Sequence, residues 1–414
     1  MVSKKYQWGE GVALLPHTQK KHAILRDYFL QYLLTRCHYP TRSFKLVIVD
    51  AFSGSGMYEG NNYGSSLIFL DVLHQAIVGE NTRRHAENLP ELHIECLLCF
   101  NDIETETINM LKANVETFCS TLTDVSQLTV RPEFSSYAFD AWYPLLKQRI
   151  QQTGCNNVFF NLDQCGYKHV GTDVIRDILS SWKSAEVLLT FMIESLINYL
   201  SPKKENVHLE PSLRAQVTDL STAFNQGNLS RVTWLGQAEQ MVFNYLGQVA
   251  QFVSPFTINN PNGWRYWLMH FATSYRARQV FNNVLHQDNA TQAHYGRAGL
   301  NMLSYTPGDD AQLYLFNEDS REQAKASLYD DIPNVVSRSG DTLEMDEFYK
   351  LVYNGTPAHS DDIHQMMIDN PDVEILTRED GGRRRKANTI RSTDVIKLKK
   401  QRSFFIFFDK KRSD

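Results

Sequence analysis

Three places in this 414-residue chain bring together side chains that could do chemistry, and a fourth concentrates positive charge. The first is Asp50-Ala51-Phe52-Ser53-Gly54-Ser55-Gly56. It follows Lys45-Leu46-Val47-Ile48-Val49, a β-branched apolar run that predicts a buried strand of a parallel sheet. A strand that empties into a glycine-containing turn leaves bare backbone where a ligand can approach. Glu59 stands where a G-x-G-x-x-G fingerprint needs glycine, and no G-K-[ST] follows, so the turn is neither a dinucleotide site nor a P-loop. The acid at the strand's tip disfavours phosphate and favours hydroxyls or positive charge. D-x-F-x-G-x-G therefore suits S-adenosylmethionine (SAM), which carries a sulfonium, an amino group and no phosphate. Asp50, Phe52, Ser53, Gly54 and Gly56 are the cofactor-binding candidates. Asp50 is expected to reach the amino group directly or through water; the alternative is an Asp that caps the turn's amides.

The second place is Asn101-Asp102-Ile103-Glu104, just past the apolar run at 94–100. In open α/β sheets ligands lie at the carboxyl ends of the strands. An acid here is placed to bond ribose hydroxyls: Asp102 first, Glu104 next, with helix capping by Asn101 or Asp102 as the competing role. The third is Asn161-Leu162-Asp163-Gln164, after the apolar 158–160. Asp163, with Asn161 behind it, is the catalytic candidate, as general base or as the group that orients a nucleophile. Phe52 and Tyr167 are expected to wall the pocket or to be core, and His17 and His22 to close over it or to be structural. The fourth is Arg383-Arg384-Arg385-Lys386. From Gly381 onward twelve Lys or Arg face three acids, although the chain as a whole is at −5, so this end expects an anionic partner, DNA or RNA. A solvated basic face is the competing role.

The elements that must position these groups follow from periodicity. Ile24, Leu25, Tyr28, Phe29, Tyr32 and Leu33 form one apolar face of a helix over 17–36, expected to cap the sheet. Helices are expected at 65–77, after 101–106 and running through Phe118, and at 138–151, 171–182 and 276–287. Strands are expected at 45–49, 94–100, 128–131, 158–162, 187–192, 264–273 and 312–316, with a polar loop over 79–90. Such alternation predicts an α/β fold with a mostly parallel Rossmann-like sheet. Residues 203–256 read as a helical insertion. Residues 341–414 read as a separate basic module of winged-helix outline: helices at 346–353 and 360–368, a strand at 373–377, a tight turn at 379–382 and an outgoing strand at 383–397. The expected division is thus 1–330 and 341–414.

Hydrophobic content of 42% and charged content of 21% are ordinary for a globular protein. Six scattered cysteines make no disulfide framework, and Cys96-Leu97-Leu98-Cys99 lies inside an apolar run without a second ligand pair, so buried strand cysteines are expected rather than metal. No membrane segment and no signal peptide are evident, and the cytoplasm is the expected compartment.

With these residues in place, the chain resembles the three-Cys-motif partner (TcmP) family and, more widely, Rossmann-type SAM-dependent methyltransferases. The likeness runs over nearly the whole length. It rests on His17, Lys21, Leu25 and Tyr28 (H-x-x-x-K-x-x-x-L-x-x-Y), on Asp50, Phe52, Ser53, Gly54, Gly56 and Tyr58 (D-x-F-[AS]-G-x-G-x-Y), on Gly64-Ser65-Ser66, on Leu162-Asp163-Gln164-Cys165-Gly166 and on Phe271-Ala272-Thr273. Gln164 departs from the family's Pro, and the [DN]-P-P-[YF] of amino-methylating enzymes is absent. The resemblance implies SAM as cofactor, methyl transfer as the activity and a three-cysteine, radical-SAM-like protein as partner. Two other classes fit the residues: a non-catalytic partner that keeps the SAM fold, and, less well, a nucleotide-processing enzyme on a Rossmann-like sheet.

Overall fold

The computed structural model describes Trp8, residues 11–38, 40–122, 125–164, 170–191, 222, 241–258, 266–287, 293–295, 313–315 and 318–399. The chain divides into two units, Met1–Arg297 with Met302–Asn317, and Ala298–Asn301 with Glu318–Asp414. The helix Glu318–Arg338 falls in the second unit, ahead of the module start expected at 341.

In the first unit, helix α1 (Pro16–Arg36) precedes strand β1 (Ser43–Asp50). A short hairpin, β2 (Met57–Tyr58) and β3 (Asn62–Tyr63), leads into α2 (Ser65–Ala86). Then come β4 (His93–Asn101), α3 (Thr105–Thr121), β5 (Leu128–Ser135), α4 (Phe139–Thr153), β6 (Asn157–Leu162), α5 (Thr172–Ser181) and β7 (Ser184–Phe191). Strands β8 (Phe252–Ile258) and β9 (Tyr266–Ala272), helix α6 (Tyr275–Gln287) and the pair β10 (Ala293–Tyr295) and β11 (Leu313–Leu315) follow. The main sheet has seven strands in the order β5-β4-β1-β6-β7-β9-β8. The five from β5 to β7 are parallel, and β9 runs antiparallel to both β7 and β8.

Side chains alternate across the sheet, as period two requires. Val47, Val49, Val158, Phe160 and Leu162 join Trp142, Leu146 and Ile150 of α4 and Ile175 and Ile178 of α5 in one core. On the other face Phe159 sits among Tyr28, Phe29 and Tyr32 of α1 and Phe69 of α2, with ring centroids 5.5–6.2 Å apart. Helix α1 therefore caps the sheet as its apolar face predicts.

In this unit three elements differ from expectation. The polar stretch 79–90 continues α2 to Ala86, because Arg83 and Arg84 pair with Glu80 and Glu87 at helical spacing. Within 203–256, residues 241–246 are helical, but Phe252–Ile258 is a strand, with Pro255 tolerated because β8 is the outer strand of the sheet. Residue 222 is also helical and 247–251 form turns and bends; the rest of that insertion lies outside the described residues. The strand expected at 312–316 pairs with β10 in a separate two-stranded sheet rather than closing the main one.

The second unit runs α7 (Glu318–Arg338), β12 (Thr342–Glu344), α8 (Met345–Val352), α9 (Ser360–Asp369), β13 (Val373–Leu376) and β14 (Val395–Leu398). Its three strands are antiparallel with β14 in the middle, in the order β12-β14-β13. The outgoing strand is shorter than expected. Arg383 makes one isolated bridge to Leu376, and the chain becomes strand again only at Val395.

Candidate functional site

The sheet order reverses about β1: β4 lies on one side and β6 on the other. At such a switch point the loops leaving adjacent strands diverge and open a crevice at their carboxyl ends. All three chemistry-bearing loops leave from β1, β4 and β6.

Asp50 ends β1 and is fully buried. One carboxylate oxygen accepts from Ser65 Oγ at 2.7 Å and Ser66 Oγ at 2.9 Å; the other accepts from Asn161 Nδ2 at 2.9 Å. Burial pushes its carboxyl up to about 6 against the pull of those three donors. Asp50 thus lies beneath the crevice and ties β1, β6 and the start of α2 together. Its bonds go to side chains, unlike the amide cap weighed from sequence. Asn161 is engaged in the same knot. Ser53 is also spent internally: its hydroxyl donates to Asp50 O at 2.7 Å and accepts from Asn101 N at 3.0 Å. Phe52 leans on Phe139, centroids 5.7 Å apart, at the margin of the core.

Gly54 and Gly56 hold φ of +59° and +77°, the left-handed region that side chains avoid. The space a Cβ would need is taken in both cases, at Gly54 by the Trp8 indole (2.6 Å to Cζ2) and at Gly56 by a Leu111 methyl (2.6 Å). Gly54 N donates to Asp102 Oδ2 at 3.3 Å, so the glycine turn and the acid after β4 form one structure.

Asp102 is half-buried, and its other oxygen accepts from Glu104 N at 3.0 Å. Burial moves its carboxyl upward despite the two amides. Asn101 is buried and stitches three strand ends, donating to Ala51 O and Tyr137 O and accepting from Tyr137 N. Glu104 occupies the N-cap position of α3 without a capping side-chain bond. Two large apolar side chains of these loops face solvent: Ile103, next to Asp102 in the chain, at 66% exposure, and Tyr137, whose backbone bonds Asn101, at 51%. Sequence reading missed both. For Ile103 the available signal was an apolar residue directly after the acid at the end of an apolar run.

Past β6, Asp163 receives both contacts of the Lys21 ammonium, at 2.6 and 2.7 Å. Burial would raise its carboxyl, but Lys21 and the Thr190 hydroxyl outweigh burial and hold it below the ordinary carboxylate value. An anion held that way is a weak base and fits orientation better than proton abstraction. His22 is pushed down to about 4, first by burial and then by Lys21, and is neutral at pH 7. Its ring meets the edge of Tyr58 at 5.7 Å. His17 is lowered for the same reasons. Gln164 is buried and accepts from Val170 N at 3.1 Å, a loop-anchoring contact. Cys165, Gly166 and Tyr167 lie outside the described residues. Lys21 was legible as the one charge in line with Leu25 and Tyr28, at i+4 and i+7 on the buried face of α1.

In the second unit the four basic candidates separate. Arg384 is tied to buried Asp394 by two bonds, 2.9 and 3.0 Å, and so holds the loop rather than a ligand. Arg383, Arg385 and Lys386 are exposed. Helix α9 turns Asp361, Gln365 and Asp369 outward and carries no Lys or Arg.

Cys96 and Cys99 are buried within β4. Among the described residues no three His, Cys, Asp or Glu could hold a metal ion, and no helix is long and apolar enough to cross a membrane. Compared with known proteins, the chain matches no protein-family model and no curated protein.

Proposed function

We propose that the first unit is a SAM-binding domain of the Rossmann-type methyltransferase kind. The observation that carries this reading is the joint between Asp102 and the Gly54 turn at the sheet's switch point, with Ile103 and Tyr137 exposed beside it. A half-buried carboxylate with exposed apolar side chains on the same strand-end loops suits a nucleoside: hydroxyls to the acid, the flat base against apolar surface. The reversed strand β9, inserted between β7 and β8, departs from the dinucleotide order 3-2-1-4-5-6 and supports the methyltransferase reading over a dinucleotide site. The residues present fit the ribose and base of SAM. When bound, SAM supplies the methyl group, and Asp163 with Lys21 orients the acceptor at the end of β6.

The second unit is read as a winged-helix module. The order helix, strand, two helices and two strands, with the last strand central, supports that reading. Residues 377–394 form its wing, and Arg383, Arg385 and Lys386 meet nucleic-acid phosphates, which position rather than specify. The resemblance to the TcmP family adds a three-cysteine protein as partner. A second reading, a SAM-fold partner without turnover, is favoured by one observation: the Lys21–Asp163 pair leaves Asp163 a poor base.

Calorimetry of the full chain with SAM, S-adenosylhomocysteine (SAH), NAD and ATP tests the proposal. SAM and SAH are expected to bind in the micromolar range, with little or no heat from NAD and ATP. Binding of NAD or ATP without SAM or SAH would sink it. Binding of SAH in a chain that never turns SAM over with any nucleic acid or partner would leave the second reading.

A further inference from the structure

Trp8 reaches the glycine turn from the segment ahead of α1. A Cβ built on Gly54 would lie 2.6, 3.1 and 3.4 Å from Cζ2, Cη2 and Cε2 of its indole, so the ring rests directly on the bare α-carbon. The indole meets Tyr58 edge to face, with centroids 5.2 Å apart. The segment is pinned just beyond it. Gly11 N donates to Trp8 O at 3.2 Å, and Glu59 N donates to Val12 O at 2.9 Å. Gly11, at φ +86°, comes so close to the Glu59 side chain that a Cβ would meet its carboxylate oxygen at 2.8 Å. The hairpin that carries Tyr58 and Glu59 therefore holds the strap, and the strap lays Trp8 on the turn.

The same turn donates Gly54 N to Asp102, the acid assigned to ribose. A ligand whose ribose meets Asp102 and whose chain runs along the turn needs the face of Gly54 that the ring covers, and two groups cannot share it. We propose that Trp8 is a plug: the aminocarboxypropyl end of SAM or SAH takes the place of the indole over Gly54, and the ring leaves when the ligand binds. The inference rests on reading the Gly54 turn as the SAM site. It adds that affinity is set partly by the chain's own indole. Only the fraction of molecules with the ring displaced is competent, so the apparent dissociation constant is raised by the inverse of that fraction.

Removing the plug should then tighten binding, the opposite of removing a wall that touches ligand. SAH is titrated by calorimetry into the full-length wild type, Trp8→Ala and Trp8→Phe, each shown to be folded by its thermal melt. The plug predicts that Trp8→Ala binds SAH about 3- to 10-fold tighter than wild type, with Trp8→Phe between them. Binding by Trp8→Ala when wild type is silent also supports it. Equal or weaker binding by Trp8→Ala overturns the plug and leaves the SAM reading intact, since the wild type still binds. No heat from any of the three overturns both. Should Trp8→Ala fail to fold, tryptophan emission decides: saturating SAH should shift the wild-type spectrum to the red and leave Trp8→Phe unshifted. The same shift in both proteins overturns the plug.

Discussion

Asp50, which looks like a ligand from its position at the end of β1, bonds Ser65, Ser66 and Asn161 in the structure. Its carboxyl is raised from 3.8 to about 6, chiefly by burial, so the folded state favours the protonated form. That contribution is complete below about 3.8 and is lost as pH climbs through about 6. The stability lost over that range is about 3 kcal/mol. Asp50→Asn should flatten the stability profile between pH 4 and 6 relative to wild type, read by urea melts at one-unit steps; parallel profiles would contradict the raised carboxyl. Asp102 and Asp163 should separate by ligand. Asp102→Ala is expected to weaken SAH by about 1.5–3 kcal/mol, the scale of a hydrogen bond to a charged group. Asp163→Asn should change SAH affinity by less than about threefold, because its carboxylate is bound to Lys21. If Glu104→Ala is the damaging change instead, the ribose acid lies two residues further on. The types of these residues were legible in sequence because each follows an apolar strand. Their duties were not. Whether an acid faces ligand or is consumed by Ser65, Ser66 and Asn161 depends on contacts up to 111 residues apart, which no local pattern carries.

Among the elements, helix α2 carries a fully buried charge. Arg84 is fully buried and donates to Glu80 at 2.7 Å, to Cys37 O at 2.6 Å and to Pro90 O at 3.2 Å. Arg84→Ala would leave Glu80 and two carbonyls without that partner, and a loss of about 3–5 kcal/mol in chemical denaturation is expected. A loss under about 1 kcal/mol would mean that the helix end is held by packing alone. In the second unit the basic loop divides labour. Arg384→Ala should lower the unit's stability through Asp394, whereas replacing Arg383, Arg385 and Lys386 together should leave folding intact. That triple variant should flatten the slope of log affinity against log salt on duplex DNA by up to about 3, at roughly 0.9 for each phosphate. A full effect from Arg384→Ala alone, with the triple variant silent, would remove the wing from the interface. Strands β1, β4, β6 and β7 were plain in the sequence because parallel strands buried on both faces are near-continuous apolar runs. Strand β8 was hidden by Pro255, which an outer strand tolerates and a sequence rule penalises. The tail of α2 was hidden by polarity whose helical spacing is visible only when its charges are paired.

At the scale of the whole molecule the chain joins two units of different character: a seven-stranded α/β unit with its crevice at the strand ends, and a smaller three-stranded unit with a basic loop. The alternation of elements announced the first, and the charge of the last stretch announced the second. Neither announced Trp8, which stands ahead of the first helix outside any periodic apolar pattern. The central claim is that SAM lies at the ends of β1 and β4. Ultraviolet cross-linking of methyl-labelled SAM to the full chain, followed by peptide mapping, tests it most directly. Label that is competed by SAH and maps to the peptides containing Asp50–Tyr58, Ile103 or Tyr137 is the predicted result. Label confined to the second unit, or label that SAH does not displace, would contradict the account.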